Sequence, residues 1–464
     1  MSRNASKPVY LAVVAALAML CLLGLVKAAA AIGLHVPLDP NEGWNAYHAA
    51  AAMGAGPLYP AAGSYLVNNY PPLSFYLVGA LARLVGDAIV AGRLVSLASF
   101  VFLLIALFAA ARRMGANLAA ALFAPLLFAG ILLVFSDYVA MDDPQMLAQA
   151  LAMGGFLILL REPRRAPAVL AAALLFVLAA FVKHNVVAQA VASTAWVALF
   201  DRRNALRLAA AGIGFLVIGL GLFHAVYGTG LLAHLITPRG YSLEDLRLLL
   251  SGWLEGCAVP LAGLAGLVVL GRRDRHVQFC ALYAGLGLAI GVVFLGGAGV
   301  DINVLFDADL ALSLGAALLL GKFAEGWRAP AAAAAMALPL LVPVVANAEA
   351  HEAWLHPLNQ DSEMASADVA FLARHKGPAI CEMLSLCYWA AKPAAVDVFN
   401  TGQAFDTGAR SDRELVSRIV AQRYAVIQFD PDSPEPLGDN VRDAMQRAYR
   451  LDHEDDLGSF YVPR

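Results

Sequence analysis

The sequence predicts an all-α polytopic membrane protein with about eleven transmembrane helices and a small C-terminal α/β domain outside the membrane. Apolar residues make up 60% of the 464 residues and charged residues only 14%, against about 45–50% and about 25% in an average soluble domain. The apolar residues are gathered into runs of about 20, the length that crosses a bilayer as a helix. This pattern stops near residue 350. We therefore expect a membrane domain over 1–349 and a separate domain over 350–464.

The first apolar run follows Arg3 and Lys7 and resembles a signal sequence. It is longer than an h-region of about 7–15 residues, and no convincing cleavage site follows it. We therefore interpret it as the first span. The predicted spans are 8–30, 89–111, 117–135, 144–160, 166–182, 186–200, 206–227, 251–271, 277–297, 304–320 and 329–347.

The loops between these spans alternate in charge. Because Lys and Arg favour the cytoplasmic side, this alternation predicts a cytoplasmic N-terminus and an extracytoplasmic C-terminal domain. This alternation requires that residues 73–86 do not cross the membrane. The helical spacing of their leucines predicts an amphipathic helix that lies at the membrane surface. The basic loops are Arg112-Arg113, Arg161 to Arg165, Arg202 to Arg207, Arg272 to Arg275, and Lys322 to Arg328.

The region 350–464 mixes helical and extended patterns, which predicts an α/β domain. Its Cys381 and Cys387 would form a disulfide in an oxidising compartment, or remain two separate thiols. The helical stretches are 365–375, 412–422 and 440–450, and the strand-like stretches are 378–383, 395–399, 424–429 and 458–462.

The predicted first outer loop, 34–72, contains Asp39 and Glu42 and has no Lys or Arg. Ionisable groups at membrane depth are costly and are therefore functional candidates. Asp39 also fits the N-cap of a helix with Pro40 at its first position and Glu42 as the capping-box partner. One residue can fill both roles, and we take Glu42 and Asp39 as candidate general bases.

A second acidic loop contains Asp142 and Asp143, followed by Pro144. Capping of the next helix explains one of these carboxylates and leaves the other without a role. Two acidic loops on one face of the membrane can supply a general base and its helper, or ligands for a divalent cation. The sequence leaves metal dependence open.

Basic residues of two further outer connections are candidates for binding a phosphate. Lys183 and His184 lie between two apolar spans, and Arg239 and Arg247 lie in the next outer loop. A Lys that extends its ammonium to the membrane interface is the alternative for Lys183.

The run from Asp301 to Asp309 contains Asn303 and two acids, Asp307 and Asp309, that are two positions apart. On a helix these two point in nearly opposite directions. At least one is therefore expected to face a polar cavity, unless hydrogen bonds to neighbouring spans satisfy both. We include Asn303 among the candidate substrate-binding residues.

Four segments resemble the GT-C superfamily of polyprenyl-phosphate-dependent glycosyltransferases, both in their order along the chain and in the side of the membrane on which they are predicted to lie. Within it, the chain is similar to bacterial proteins like the dolichyl-phosphate-mannose–protein mannosyltransferases, which include the aminoarabinose transferases of lipid A. The segments are DPNEGWNAYHA in the first outer loop, YPPLSFYL entering the surface helix, MDDPQMLA in the second outer loop, and FVKHN.

The resemblance implies an inverting transfer of a sugar from a polyprenyl phosphate to an acceptor hydroxyl, outside a bacterial inner membrane. The family's first-loop Asp-Glu pair falls on Asn41-Glu42, so the base is expected to be Glu42, with Asp39 as a shifted substitute. The second-loop carboxylate corresponds to Asp143.

The family's Lys-Pro-Pro is Tyr70-Pro71-Pro72 in this chain. Tyr70 therefore occupies the place of a phosphate-binding Lys, and Lys183 is expected to replace that Lys. Asp142, His184 and Arg239 complete the predicted binding residues.

The implied partners are the sugar donor, a lipid, glycan or protein acceptor, and membrane lipids, with no nucleic acid. A lipid or solute transporter with a charged central cavity is the alternative. Such a protein often shows inverted repeats or broken helices in matching halves, and this sequence shows neither. The sequence does not identify the sugar.

Overall fold

The structure is a computed structural model, and it describes residues 3–61, 63–235, 239–323, 326–346, 358–430 and 437–464. Eight helices in these described ranges are long and apolar enough to cross a membrane. They are α1 (Arg3–Ala31), α4 (Ala88–Arg113), α5 (Leu118–Phe135), α9 (Arg202–Tyr227), α11 (Leu243–Gly271), α12 (Arg275–Leu295), α13 (Phe306–Lys322) and α14 (Arg328–Ala346).

Three predicted spans correspond to shorter apolar helices, α6 (Gln145–Arg161), α7 (Ala166–Val182) and α8 (Ala188–Ala198). A small sheet follows at the C-terminus. The predicted fold class, a polytopic helical protein with a small C-terminal α/β domain, is confirmed. The count of eleven spans stays a prediction, and the predicted domain boundary at 349/350 lies outside the described residues.

The first outer loop forms two helices, α2 (Pro40–Ala50) and α3 (Leu73–Val85). Asp39 is the N-cap of α2, and its Oδ1 accepts a hydrogen bond from the Asn41 amide at 2.7 Å. Glu42 does not complete a capping box, because its Oε2 accepts from the amide of Leu38. A π-helical turn, Ala51–Ala55, ends α2, and a short helix α10 (Gly230–Leu235) follows α9.

Helix α13 lies at the centre of the bundle and packs against α5, α11 and α12. Its buried acids accept hydrogen bonds from neighbouring helices: Tyr283 donates to Asp307 at 2.7 Å, and Trp253 donates to Asp309 Oδ1 at 2.8 Å. Among the described residues, the second oxygen of Asp309 has no hydrogen-bond partner. Neither acid is among the residues that line the polar cavity described below. Aromatic donors on adjacent helices supply a polar partner to each acid, as in the hydrogen-bonded alternative, and a polar cavity at one of them stays a prediction.

The C-terminal domain carries a sheet in which the strands have the order β1-β2-β4-β3. Strands β1 and β2 are parallel, and the other pairs are antiparallel. Its elements are α15 (Leu358–Arg374), β1 (Ala379–Cys381), α16 (Leu384–Trp389), α17 (Val398–Asp406), α18 (Arg413–Val420), β2 (Val426–Phe429), α19 (Asp439–Ala448), β3 (Tyr449–Asp455) and β4 (Gly458–Pro463).

One sequence prediction in this domain is wrong, and one strand was not predicted. The stretch 395–399 is not a strand, because the Asp397 side chain accepts from the Asn400 amide and caps α17. The helix predicted over 440–450 is confirmed but ends at Ala448, and the chain continues as β3, a strand of mostly polar residues. Cys381 and Cys387 form a disulfide, which resolves the alternative left open by the sequence.

The C-terminal domain rests on α2 through α16. A Cβ added at Gly43 would lie 2.1 Å from the backbone nitrogen of Ser385, so only glycine allows this approach. The Trp44 indole donates to Asp397 at 3.0 Å, and the Tyr47 hydroxyl donates to the Lys392 carbonyl at 2.8 Å. The domain is therefore fixed against the same helix that presents Asp39.

Candidate active site

A polar cavity of about 470 Å³ opens at the end of the bundle that carries the C-terminal domain. Its walls come from the first outer loop, from the connection between α7 and α8, and from the segments before α11 and α13. Six of the nine predicted site residues line it: Asp39, Tyr70, Lys183, His184, Arg239 and Asn303. The other three, Glu42, Asp142 and Asp143, lie behind its wall.

A smaller cavity of about 240 Å³ adjoins the first and shares Asp39, Tyr70 and Arg239 with it. Its far wall belongs to the C-terminal domain and includes Asp397 and Asn400. The C-terminal domain therefore supplies part of the wall of the second cavity. Sequence reasoning missed this contribution, because no local pattern shows which residues of a separate domain face the membrane helices.

Asp39 is the carboxylate that faces both cavities. Burial, together with the nearby Asp143 carboxylate, raises the pKa of Asp39 to about 6, although the Asn41 amide opposes this shift. A carboxylate with a pKa in this range is a stronger base than an exposed one and is still ionised at neutral pH.

Lys183 and Asp143 form a buried ion pair at the edge of the larger cavity. The Lys183 Nζ lies 2.8 Å from Asp143 Oδ1, and the same oxygen accepts from the Gln145 amide at 2.7 Å. The cation also lies 5.1 Å from the centre of the Tyr70 ring. Burial lowers the pKa of Lys183, but the Asp143 carboxylate raises it by more. The pKa of Lys183 therefore lies above its ordinary value. Asp143 thus caps α6 and also keeps a cation at the cavity.

Glu42 forms a different ion pair, closed off from both cavities. The guanidinium of Arg93 donates to both carboxylate oxygens, at 2.7 and 2.6 Å. The same two oxygens accept from the backbone amides of Asp142 at 3.0 Å and Leu38 at 3.1 Å. Neither side chain of the pair is exposed.

The rest of the Arg93 guanidinium ties down the chain between α1 and α2. Its N–H groups donate to the carbonyl oxygens of Ala31, Leu34 and Val36. The Glu42–Arg93 pair therefore joins both acidic loops to α4. Sequence reasoning did not select Arg93 as a site residue, although a lone Arg inside an apolar span indicates a buried partner.

Asp142 is buried beneath the site. Its backbone carbonyl accepts from the Asn45 side chain at 2.6 Å, and its carboxyl group fills the space beside Gly92, where a Cβ would lie 1.7 Å from Oδ1. Burial and the neighbouring Glu42 raise the pKa of Asp142 well above its ordinary value. A neutral, enclosed carboxyl group is suited to packing and not to binding substrate.

The remaining predicted residues line the opposite side of the larger cavity. Arg239 donates to the Ala298 carbonyl at 3.1 Å and to Asn400 Oδ1 at 3.2 Å, so it connects the membrane domain to the C-terminal domain. Asn303 donates to the Gln145 side chain at 3.4 Å. His184 is exposed to the cavity.

Among the described residues, the single group of three potential metal-ligating side chains lies in the C-terminal domain, outside this cavity. A divalent cation held by the acidic loops therefore stays a prediction.

The whole chain is similar to solved structures of ArnT from Cupriavidus metallidurans. The apo form aligns with a TM-score of 0.65 at 14% sequence identity, over 96% of this chain and 97% of that chain. The form bound to undecaprenyl phosphate aligns with a TM-score of 0.61 at 13% identity, over 95% and 97%. This similarity shows that the chain shares the fold of ArnT, as expected for the fold class predicted from the sequence. No protein-family model matches the chain, and no curated protein matches it by sequence.

Proposed function

We propose that this protein is a membrane glycosyltransferase that moves a sugar from a polyprenyl-phosphate donor to an acceptor hydroxyl. One observation carries the proposal: a single cavity presents two carboxylates, Asp39 and Asp301, and two cations, Lys183 and Arg239. Asp39 is the carboxylate that also faces the smaller cavity. A sugar phosphate needs both kinds of group, since a hydroxyl must lose a proton while a phosphate departs with added negative charge. The similarity to an ArnT structure that holds undecaprenyl phosphate supports a lipid phosphate as ligand.

In the proposed reaction, the acceptor oxygen attacks the anomeric carbon while its proton passes to Asp39. The bond between the anomeric carbon and the phosphate oxygen breaks, and its electron pair leaves with the polyprenyl phosphate. No general acid is required, because a phosphate is already a good leaving group. One displacement of this kind inverts the anomeric centre, since base and leaving group lie on opposite faces of the sugar.

Lys183 and Arg239 are the groups proposed to stabilise the departing phosphate. Lys183 stays protonated because Asp143 pairs with it, and Arg239 is held by Asn400 of the C-terminal domain. Preorganised cations at the leaving group lower the barrier without reorganising during the reaction. Tyr70, His184 and Asn303 complete the polar wall that would contact phosphate or sugar.

We assign the base to Asp39 and not to Glu42, which the sequence favoured. Every oxygen of Glu42 already accepts from Arg93 and from a backbone amide. To accept a proton, Glu42 would have to leave a buried bidentate pair, which costs several kcal/mol. Asp39 keeps one oxygen in its cap and faces the cavity.

We further propose that the cavity opens on the extracytoplasmic side of a bacterial inner membrane, with the N-terminus in the cytoplasm. The alternation of basic loops supports this orientation. Acceptors that fit it are hydroxyl groups of envelope lipids, glycans or exported proteins.

The test uses the purified full-length chain with a panel of radiolabelled polyprenyl-phosphate sugars and membrane extract. Wild type is expected to release the sugar from its carrier to a new product, and Asp39→Asn is expected not to. Asn caps a helix as well as Asp does, so this substitution removes the base while keeping α2 intact. If wild type releases no sugar from any carrier but moves a labelled lipid across vesicles, the transporter alternative replaces this proposal.

A further inference from the structure

Outside the cavity, a second group of titratable side chains lies between α15 and the edge strand β3 of the C-terminal domain. Asp368, His453 and Asp455 each offer one ligand atom, and these atoms all lie within 4.8 Å of one another. The site lies apart from the proposed reaction, since none of the three lines either cavity described above.

Asp368 is the least exposed of the three, at 2%. Its Oδ1 lies 3.4 Å from His453 Nε2, and its Oδ2 has no hydrogen-bond partner within the protein. Buried carboxylate oxygens are rarely left in this condition. The missing partner must be a cation or a hydrogen-bond donor, because the carboxylate of Asp455 lies in the same group.

His453 is oriented to face Asp368. Its ring stacks on Phe460 with a centroid distance of 4.5 Å and meets the edge of Phe371 at 4.6 Å. Its Nδ1 lies 3.2 Å from the Asp452 carboxylate. In the tautomer that donates from Nδ1 to Asp452, the lone pair of Nε2 faces Asp368, and such a carboxylate partner is the usual support of a metal-ligating His.

In that tautomer, the lone pair and the carboxylate repel each other unless a cation lies between them. A cation at this point would also give the second carboxylate oxygen of Asp368 a partner. One imidazole with two carboxylates suits Zn²⁺, whereas Mg²⁺ and Ca²⁺ prefer sites made of oxygen ligands.

We propose that Asp368, His453 and Asp455 form a binding site for Zn²⁺. Ligand distances to zinc are about 2.0–2.2 Å, so small side-chain rotations would bring the three atoms onto one ion, with water in the fourth position. The ion would join α15 to the β3–β4 hairpin. Its role is then to stabilise the domain that supplies Asp397 and Asn400 to the smaller cavity.

The test is zinc binding by the purified full-length chain, prepared without a polyhistidine tag and stripped with a chelator. Isothermal titration with ZnCl₂, with MgCl₂ as a parallel arm, measures affinity and stoichiometry. Asp368→Asn and His453→Gln remove ligands, and Asp452→Asn removes only the support of the imidazole. Asp439→Asn is the matched control, because this exposed carboxylate pairs with Arg442 on α19.

Wild type and Asp439→Asn are expected to bind one Zn²⁺ per chain and no Mg²⁺ at this site. Asp368→Asn and His453→Gln are expected to lose binding, and Asp452→Asn to weaken it about 10–100-fold. Melting in chelator shows whether each variant is folded. Equal zinc binding by wild type and by the Asp368→Asn, His453→Gln double variant would overturn the proposal, as would a wild type that binds none. Neither result depends on sugar transfer.

Discussion

Two buried ion pairs, Glu42–Arg93 and Asp143–Lys183, hold connecting segments of this protein against its helix bundle, and they differ in what surrounds them. In the first pair, both carboxylate oxygens and the whole guanidinium are occupied by protein groups. In the second, the ammonium of Lys183 borders a cavity that Asp39 also faces. Burial and charge are nearly the same in the two pairs. The two pairs differ in their access to the cavity. Glu42–Arg93 is closed off and stabilises the fold, whereas Lys183 borders the cavity, where we propose that it binds the ligand.

After substitution of the base, we expect substitution of Lys183 to lower activity the most. Lys183→Gln removes the cation proposed to meet the departing phosphate, and loss of one such donor typically costs about 10²–10³-fold in turnover. The measurement is the rate of sugar release at saturating donor. Asp143→Asn is the companion variant, expected to lower the rate less because Lys183 remains. A Lys183→Gln rate equal to that of wild type would remove the phosphate role from this pair.

Glu42→Gln tests the other half of the comparison. It leaves the Arg93 charge buried without a counter-charge, and breaking such a pair costs about 3–5 kcal/mol of stability. We expect a large drop in melting temperature in detergent, while the rate per folded molecule stays within about tenfold of wild type. Glu42→Asp serves as the milder variant, because it keeps the negative charge but shortens the side chain that pairs with Arg93.

The pH dependence of transfer is a smaller and more specific effect. Asp39 must be ionised to accept a proton, and its pKa is raised to about 6. The value of kcat/KM is therefore expected to fall about tenfold per pH unit below pH 6 and to level off above it. A profile that stays flat down to pH 5 would exclude a base with this pKa.

Removing the hydrogen-bond partner of an α13 acid is expected to have the smallest effect on the protein, and it serves as an internal control. Tyr283→Phe removes the hydroxyl that donates to Asp307, which costs about 1–3 kcal/mol because a buried acceptor loses its partner. Neither residue lines the cavity. We expect a modest loss of thermal stability with unchanged transfer kinetics, and altered kinetics would show that α13 contributes to the site.

Local patterns in the sequence predicted the parts of the fold that depend on local physics. Runs of about 20 apolar residues located the long helices, and Asp39-Pro40 marked the start of α2 because the cap and its proline act on neighbouring residues. The strand β3 was missed since its alternating polar residues lie at an exposed edge. Asp397 was placed in a strand because its apolar neighbours outweighed its capping signal.

The sequence predicted which residues would belong to the candidate site but not how the fold arranges them. Lys183 and Asp143 were both identified, yet only the tertiary fold joins two residues 40 positions apart. Glu42 and Asp39 look equivalent in sequence, and only the fold shows that Arg93, on a different helix, pairs with Glu42. The contributions of Asp397 and Asn400 required the docking of the C-terminal domain on α2.

The most direct test of this account compares Asp39→Asn with Glu42→Gln in one single-turnover assay of sugar transfer, normalised to folded protein. The account predicts a loss of about 10²–10⁴-fold for Asp39→Asn, the usual contribution of a general base, with an unchanged melting temperature. For Glu42→Gln it predicts the reverse: a lowered melting temperature and near-normal transfer. Normal transfer by Asp39→Asn, together with a folded but inactive Glu42→Gln, would contradict it and return the base to Glu42.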